Sequence, residues 1–307
     1  MEHQSNCHER PTSDSDSKKV GLIAGSGRYP LLVARYLKQN GYQVYCLGVR
    51  DQMDPKVLEY CHQSLMMGFG QFGKAVRFLS RNKVSVATMA GGINKRLLYQ
   101  PGFLWKHFPD WYTLRLFASH FLFRKKDNKN DSLLLTSVNA FERKGIRLVP
   151  ATDFVPELLV DRGFLTTTVP TSPQWQDIVC GWKISREIGR LDIGQTVTVK
   201  DRVVVAIEAL EGTDACIRRS GSLCPEGGFT AIKIAKPNQD MRFDVPSFGL
   251  QTLQNIAESG GKVLAMEAGK TIFIDKQDVI DYANKHGIAI VIIDDDDVRQ
   301  HEVGSTK

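Results

Sequence analysis

With 307 residues and a formal net charge of +6, the chain is long enough for two hydrophobic cores and only modestly basic. No apolar run approaches the length of a bilayer span, and no charged-then-apolar leader opens the sequence, so an ordinary soluble cytoplasmic protein is expected. The six cysteines are scattered without a C-x-x-C spacing, which excludes a thiolate metal site and points to free thiols. The small basic excess suits an anionic substrate or an anionic membrane surface, and equally a solvated surface with no special partner.

Residues 1–19 are polar and carry no apolar periodicity, and they read as a disordered tail. Val20 to Ala24 is a buried-strand pattern. A turn, Gly25-Ser26-Gly27-Arg28-Tyr29-Pro30, leads into a helix from Leu31 to Gln39 that stops at Asn40-Gly41. Tyr42 to Val49 is the next strand, so the chain opens as β–glycine loop–α–β, the start of a Rossmann-like sheet. Two glycines fit a dinucleotide fingerprint, but Pro30 stands where the third belongs, and Arg50-Asp51 gives no acid-on-ribose signature. The loop reads either as a tight turn or as a phosphate cradle built from the amides of Ser26 to Arg28.

Gln63 to Met67 is a third strand, followed by Gly68-Phe-Gly70-Gln-Phe-Gly73-Lys74 and a helix to about Asn82. Val84 to Ala90 is a fourth, ending at Gly91-Gly92. Three glycine loops at the carboxyl ends of parallel strands share one rim, where such sheets bind ligands. Lys74 and Lys95 stand behind two of these loops, as phosphate-binding cations would. From Lys95 to Lys129 aromatic residues alternate with basic ones. That segment fits a helix lying on an anionic bilayer, on acyl chains or on RNA, and it also fits a core helix with a solvated basic side. No RNP, KH or zinc pattern accompanies it, and no nucleic-acid partner is expected. A helix from Leu133 to Arg143 and a strand from Ile146 to Val149 complete the first half.

Pro150, Pro156, Pro170 and Pro173 punctuate a stretch without long periodicity, the expected junction. The fold class is therefore α/β. A Rossmann-like parallel-sheet N-terminal domain (20–150) is joined by a linker (151–165) to a mixed α/β C-terminal domain (166–297), with a tail at 298–307. In the second half, a helix from Trp175 to Leu191 precedes two strands, Gln195 to Lys200 and Arg202 to Ala209, paired antiparallel across Asp201. An acidic turn, Glu211-Gly-Thr-Asp214, opens a helix through Arg219. Strand Phe229 to Ala235 then leaves through a charged loop containing Lys236, Pro237, Asp240, Arg242 and Asp244. Helices at Leu250 to Ser259 and Lys276 to Lys285, and strands at Val263 to Met266, Thr271 to Ile274 and Ile288 to Ile293, close the core. The run Asp294 to Asp297 reads as a solvated tail rather than a metal box.

The carboxylates Glu211, Asp214, Asp240 and Asp244 lie near Lys233, Lys236, Arg218, Arg219 and Arg242 on segments that leave strand ends. Carboxylates hold Mg²⁺ and water and cations hold phosphate, as phosphoryl hydrolysis needs; the same residues also suit surface ion pairs.

Five phrases together resemble one family: Gly21 to Pro30, Gly68 to Lys74, Leu191 to Gln195, Glu208 to Ala215 and Lys233 to Pro246. It is the LpxI-type UDP-2,3-diacylglucosamine pyrophosphatase of lipid A synthesis, and the resemblance covers residues 20 to 294 in order. It implies a Mg²⁺-dependent hydrolase that converts UDP-2,3-diacylglucosamine to UMP and lipid X. It further implies a nucleotide-holding N-terminal domain, a lipid-holding C-terminal domain, a homodimer, and peripheral contact with the inner-membrane surface. The family's key aspartate corresponds to Asp240, expected as metal ligand or water-orienting base. Asp214 is a second metal candidate, and Glu211 and Asp244 are further candidate carboxylates. Lys236, Arg242 and Arg218 are expected on the diphosphate. Gly25, Ser26, Gly27, Arg28, Gly68, Gly70, Gly73, Gly91 and Gly92 are expected around the uridine nucleotide. Two other readings stand beside this one: a nucleotide-sugar or NAD(P)-dependent enzyme, against which the lack of a Tyr-x-x-x-Lys pair counts, and a non-catalytic binder of anionic lipid or RNA.

Overall fold

The computed structural model describes residues 18–92, 107–122, 130–237, 240–242 and 245–304. Lys95, most of the aromatic-basic segment's flanks, Asp244 and nearly all of the N-terminal tail lie outside the described residues. Two compact units divide the chain at Val155 and Pro156.

In the first unit the near-continuous apolar runs of β1 (Lys19–Ala24) and β2 (Gln43–Val49) are buried on both faces, as in a parallel sheet sandwiched between helices. Between them runs α1 (Tyr29–Gln39), with Pro30 in its first turn and Val33, Ala34 and Leu37 buried. Then come β3 (Gln63–Met67), α2 (Phe72–Arg81), β4 (Val86–Ala90), α3 (Trp111–Leu122), α4 (Asn130–Glu142) and β5 (Arg147–Val149). All pairings are parallel, in the order β3-β2-β1-β4-β5. The direction of winding reverses between β1 and β4, so the switch point of this Rossmann-like sheet lies at the ends of those two strands. At the start of α3, Trp111 is 79% exposed while Thr113 is buried.

The second unit contains β6 (Gly163–Phe164), α5 (Ser172–Arg190), β7 (Thr196–Lys200), β8 (Val203–Ile207), α6 (Thr213–Leu223), β9 (Thr230–Lys233) and β10 (Ser247–Phe248). It closes with α7 (Leu250–Glu258), β11 (Val263–Glu267), β12 (Ile272–Phe273), α8 (Lys276–His286), β13 (Ala289–Ile293) and α9 (Asp295–Gly304). The main sheet has the order β6-β13-β11-β9-β7-β8, with a parallel centre and antiparallel edges; β10 and β12 pair separately. Strand periodicity splits its apolar residues between two cores. Ala231, Leu264, Met266, Ile290 and Ile292 pack with α6, α7 and α8 on one face. Ile232, Val263, Ala265, Val291 and Ile293 pack with Ile178 and Trp182 of α5 and Val298 of α9 on the other.

Two expectations are corrected here. Gly163 and Phe164, within the expected linker, pair with Ile292 and Val291 and extend the sheet, because an edge strand satisfies backbone groups a loop would leave open. Asp294 to Asp297 is largely solvated, as expected, but neither it nor the stretch from residue 298 is a loose tail, since α9 runs to Gly304 and buries Val298. The Asp294 carboxylate accepts the amides of Asp296 (2.9 Å) and Asp297 (3.1 Å), so the acidic run caps α9, where the helix dipole favours negative charge.

The first unit's switch point depends on close backbone contact. Gly91 has φ +86°, and a Cβ there would lie 2.5 Å from the Ser26 carbonyl oxygen. Gly27 has φ +91° with open space around it. Gly91→Ala is therefore expected to destabilise the protein by roughly 2–4 kcal/mol, and Gly27→Ala by only about 1–2 kcal/mol. Urea unfolding midpoints of the two variants check the difference; equal losses would refute it.

Candidate functional site

Because β9, β11 and β13 are parallel, they all deliver their next residues to one edge of the second sheet. Antiparallel β7 begins at that edge and β8 ends there, bringing in Gln195 and Glu208. The Ile234 amide makes the last ladder bond, to the Gln195 carbonyl, and the chain then leaves the sheet for the charged loop, where Pro237 cannot donate to a ladder.

That loop is anchored by a side chain the sequence reading passed over. Glu267, 4% exposed at the end of β11, accepts the Ala235 amide on Oε2 at 3.0 Å. Its Oε1 receives Arg186 Nη2 and Lys270 Nζ, each at 2.9 Å. Arg186 also bonds Asp295 at 3.0 and 3.1 Å, and Asp295 accepts the Trp182 indole N–H at 2.7 Å. A carboxylate closing an apolar strand was the available signal: Glu267 ends Val263 to Met266 as Asp294 and Asp295 follow Ile293.

Five residues beyond Ala235, Asp240 lies against Arg242. Arg242 donates its backbone amide (3.0 Å) and Nε (3.0 Å) to Oδ1, and Nη2 to Oδ2 at 2.6 Å. Both side chains are partly covered, at 25% and 29% exposure. The Arg242 guanidinium, helped by its amide, holds the Asp240 carboxyl below its ordinary pKa against the opposing effect of burial. Lys236 pairs with Asp192 at the carboxyl end of α5.

A second cluster forms around the start of α6. Lys233, 8% exposed, donates to Thr213 Oγ1 at 3.3 Å and to the Ser247 carbonyl at 3.1 Å. Thr213 in turn donates to the Glu208 carboxylate at 3.1–3.2 Å. Asp214 sits in the first turn of α6, its Oδ1 buried without a hydrogen-bond partner. Glu211 is exposed and paired with Arg219. Arg218 is turned to Asn255 of α7, at 3.2 Å.

In the first unit Gly25, Ser26, Gly91 and Gly92 do come together at the β1–β4 switch point, but largely to bind one another. Gly25 N–H donates to the Ala90 carbonyl (2.9 Å), Ser26 and Gly92 exchange backbone bonds (2.8 and 3.1 Å), and Ser26 Oγ donates to the Gly92 carbonyl (2.8 Å). The expectation that the Ser26 amide faces a phosphate is corrected by this bridge. Arg28 is the N-cap of α1. The Gly68–Gly73 loop is also occupied by its own chain. The amides of Gly68, Phe69, Phe72 and Lys74 donate to Gln71, His107, Thr113 and Asp110 side chains at 3.0–3.2 Å. The Asp110 carboxylate thus takes the place that an anion would hold at the start of α2. Gly70 and Gly73 are required by that approach: a Cβ would lie 2.6 Å from the His107 carbonyl and 2.7 Å from Asp110 Oδ2, respectively.

Two outcomes are expected from these contacts. Glu267→Ala leaves Arg186 and the Ala235 amide under-partnered in a buried place, and should cost about 3–5 kcal/mol in denaturant unfolding; a loss under 1 kcal/mol would refute the anchor. Arg242→Gln should raise the Asp240 pKa toward its ordinary value, read by carboxyl-carbon NMR. A depressed carboxyl stabilises the fold above its unfolded pKa of about 3.9 and loses that contribution as pH falls through the folded value. The variant's stability deficit should therefore be present at pH 7 and shrink in acid.

Family models for the LpxI N-terminal domain and the LpxI C-terminal domain match residues 19–158 and 161–291. The UDP-2,3-diacylglucosamine pyrophosphatase LpxI of Caulobacter vibrioides is 32% identical over 286 residues, covering 90% of this chain and 98% of that protein. A solved biotin carboxylase domain of Hydrogenobacter thermophilus 2-oxoglutarate carboxylase matches 68% of this chain and 41% of its own at 14% identity, with a TM-score of 0.25 that supports no comparison. Neither an NAD(P)-dependent enzyme nor a non-catalytic lipid or RNA binder is favoured by these matches. The chain belongs to the LpxI family.

Proposed function

We propose that this protein hydrolyses the diphosphate of UDP-2,3-diacylglucosamine to UMP and 2,3-diacylglucosamine 1-phosphate (lipid X) in lipid A biosynthesis. The observation that carries the reading is the ionised Asp240, set beside Arg242 on the loop leaving β9, in a chain matched nearly end to end by a pyrophosphatase of that specificity. The two negative charges of the diphosphate must be neutralised as water attacks phosphorus and the bridging P–O bond breaks. Arg242 and Lys236 are the cations proposed for this task. A carboxyl with a lowered pKa stays ionised at neutral pH and is a weak proton acceptor. Asp240 is accordingly assigned to orient water or hold a cation, rather than to remove a proton.

The residues suit Mg²⁺ in one particular way. Among the described residues no three His, Cys, Asp or Glu side chains group as a metal cage. The buried, unpartnered Oδ1 of Asp214 and the carboxylate of Asp240 offer one or two donors. That matches an ion which keeps waters and takes its other ligands from phosphate oxygens. Asp214 and Asp240 would hold it, and when bound it would offset charge on the diphosphate as the bond breaks. Glu211, with its Arg219 partner, and Asp244 are kept as supporting carboxylates.

The nucleotide is assigned to the first unit's rim, with Gly27 its most open point, since a Cβ there would meet nothing within 4 Å. Gly25, Ser26, Arg28, Gly91 and Gly92 would frame that point. Gly68, Gly70 and Gly73 would act through shape, their neighbouring amides being engaged. Among the described residues no helix is long and apolar enough to cross a membrane. The resemblance to the family implies a homodimer, and the substrate's two acyl chains favour work at the cytoplasmic surface of the inner membrane, with the enzyme bound peripherally.

The test is incubation of the purified protein with UDP-2,3-diacylglucosamine and Mg²⁺, with and without EDTA, followed by detection of UMP. Release of UMP that EDTA abolishes is expected; none in the presence of Mg²⁺ would sink the activity. Asp240→Ala should still bind substrate but turn over about 10³-fold more slowly or worse. Turnover near wild type in the folded variant would remove Asp240 from the reaction. Labelled water would show which phosphorus takes up oxygen.

A further inference from the structure

The outer face of α2 is unusual for a solvated helix. Lys74, Arg77 and Arg81 line one cleft of about 310 Å³ with Asn82, over a floor made by Leu65 of β3 and Phe78. None of these lining residues is acidic, and none of the three cations forms an ion pair among the described residues. Lys74 and Arg77 are spaced i,i+3 and Arg77 and Arg81 i,i+4, so neighbouring like charges face each other and weaken the helix. Lys74 also stands in the first turn, where the helix dipole disfavours a cation. The nearby carboxylate, Asp110, is engaged with the Lys74 amide and with the amide and hydroxyl of Thr113. The opposite face of α2 is buried through Ala75, Val76 and Leu79, so the cations are held in place by a packed helix.

We propose that this cleft, on the first unit and made of none of the residues assigned above to the diphosphate, is an anion site that takes a phosphate group. Three positive side chains supply the charge, and arginine forks match phosphate oxygens. The Leu65–Phe78 floor accommodates the apolar stems of the arginines and the organic part of a phosphate ester. Binding an anion relieves the repulsion along α2, so occupancy of the site stabilises the fold. The phosphate comes either from an anionic phospholipid headgroup or from a soluble phosphate ester, and the experiment separates the two.

The full-length protein is compared with an Arg77→Gln/Arg81→Gln variant, whose altered side chains are exposed and outside the proposed catalytic loop. In the first arm, inorganic phosphate is titrated at constant ionic strength while unfolding is followed. The wild type should gain about 2–4 °C in Tm at saturation. The variant should begin at or above the wild-type Tm and lose most of that gain. In the second arm, both proteins are sedimented with phosphatidylglycerol-containing or pure phosphatidylcholine vesicles. A headgroup source predicts roughly 30-fold weaker binding of the variant to the anionic vesicles only. A soluble source predicts that the variant differs in the phosphate arm alone. Equal behaviour of the two proteins in both arms, whether or not they bind, overturns the proposal.

Discussion

A single buried negative charge organises the edge of the second sheet. A carboxylate in a low-dielectric interior must be paired or it becomes neutral, and Glu267 is paired three ways: with Arg186, with Lys270 and with the Ala235 amide. Through Arg186 the pairing extends to Asp295, and through Asp295 to the Trp182 indole. Four elements, β9, β11, α5 and α9, are thereby held at defined positions around one point. The apolar cores on the two faces of the sheet supply the bulk of the stability. What the polar network adds is location: it fixes where β9 stops and where the loop bearing Asp240 begins.

The two units manage their strand ends by opposite means. In the first, glycines allow backbone to meet backbone, and the loops after β1 and β4 satisfy each other through Ser26 and Gly92. The start of α2 attracts anions, and the chain answers that need itself with Asp110 and Thr113. A rim whose amides are already engaged presents shape more than free hydrogen-bond donors. In the second unit the rim is made of charged side chains whose partners are other side chains, such as Asp240 with Arg242 and Lys236 with Asp192. Such pairs, being part-exposed, can exchange partners at modest cost, because water and incoming charges compensate each group as it is released.

The sheet architecture was legible because it is written in local signals. Val20 to Ala24 and Ile288 to Ile293 are apolar runs bounded by polar turns, and Asn40-Gly41 stops a helix wherever it occurs. The charged loop was visible too, since charge gathers in the Lys233 to Pro246 phrase just after an apolar strand. What the sequence hid are partnerships between distant residues. Nothing local shows that the Ser26 amide is taken by a carbonyl 66 positions away, or that Asp110 seals a helix 36 positions earlier. The acidic run at Asp294 looked like solvent-facing charge because its cations, Arg162 and Arg186, are more than 100 residues upstream. Glycine loops were readable as places of close approach; what approaches them was not.

The lowered pKa of Asp240 narrows the chemistry that the second rim can perform. A group tuned to accept a proton near neutrality needs burial without a partner, which raises a carboxyl pKa; Asp240 has a guanidinium bonded along its edge, which lowers it. With Arg242 in place such a carboxylate is charged at neutral pH and attracts, whether the object is a cation or the hydrogens of a water. In the proposed hydrolysis, the diphosphate competes with Asp240 for Arg242. As the guanidinium turns to phosphate oxygens, the carboxylate gains free lone pairs at the moment when a nearby cation or water needs them. On that reading, the Asp240–Arg242 pair would give way to the substrate's own charge, and the aspartate's lone pairs would be freed where the diphosphate binds.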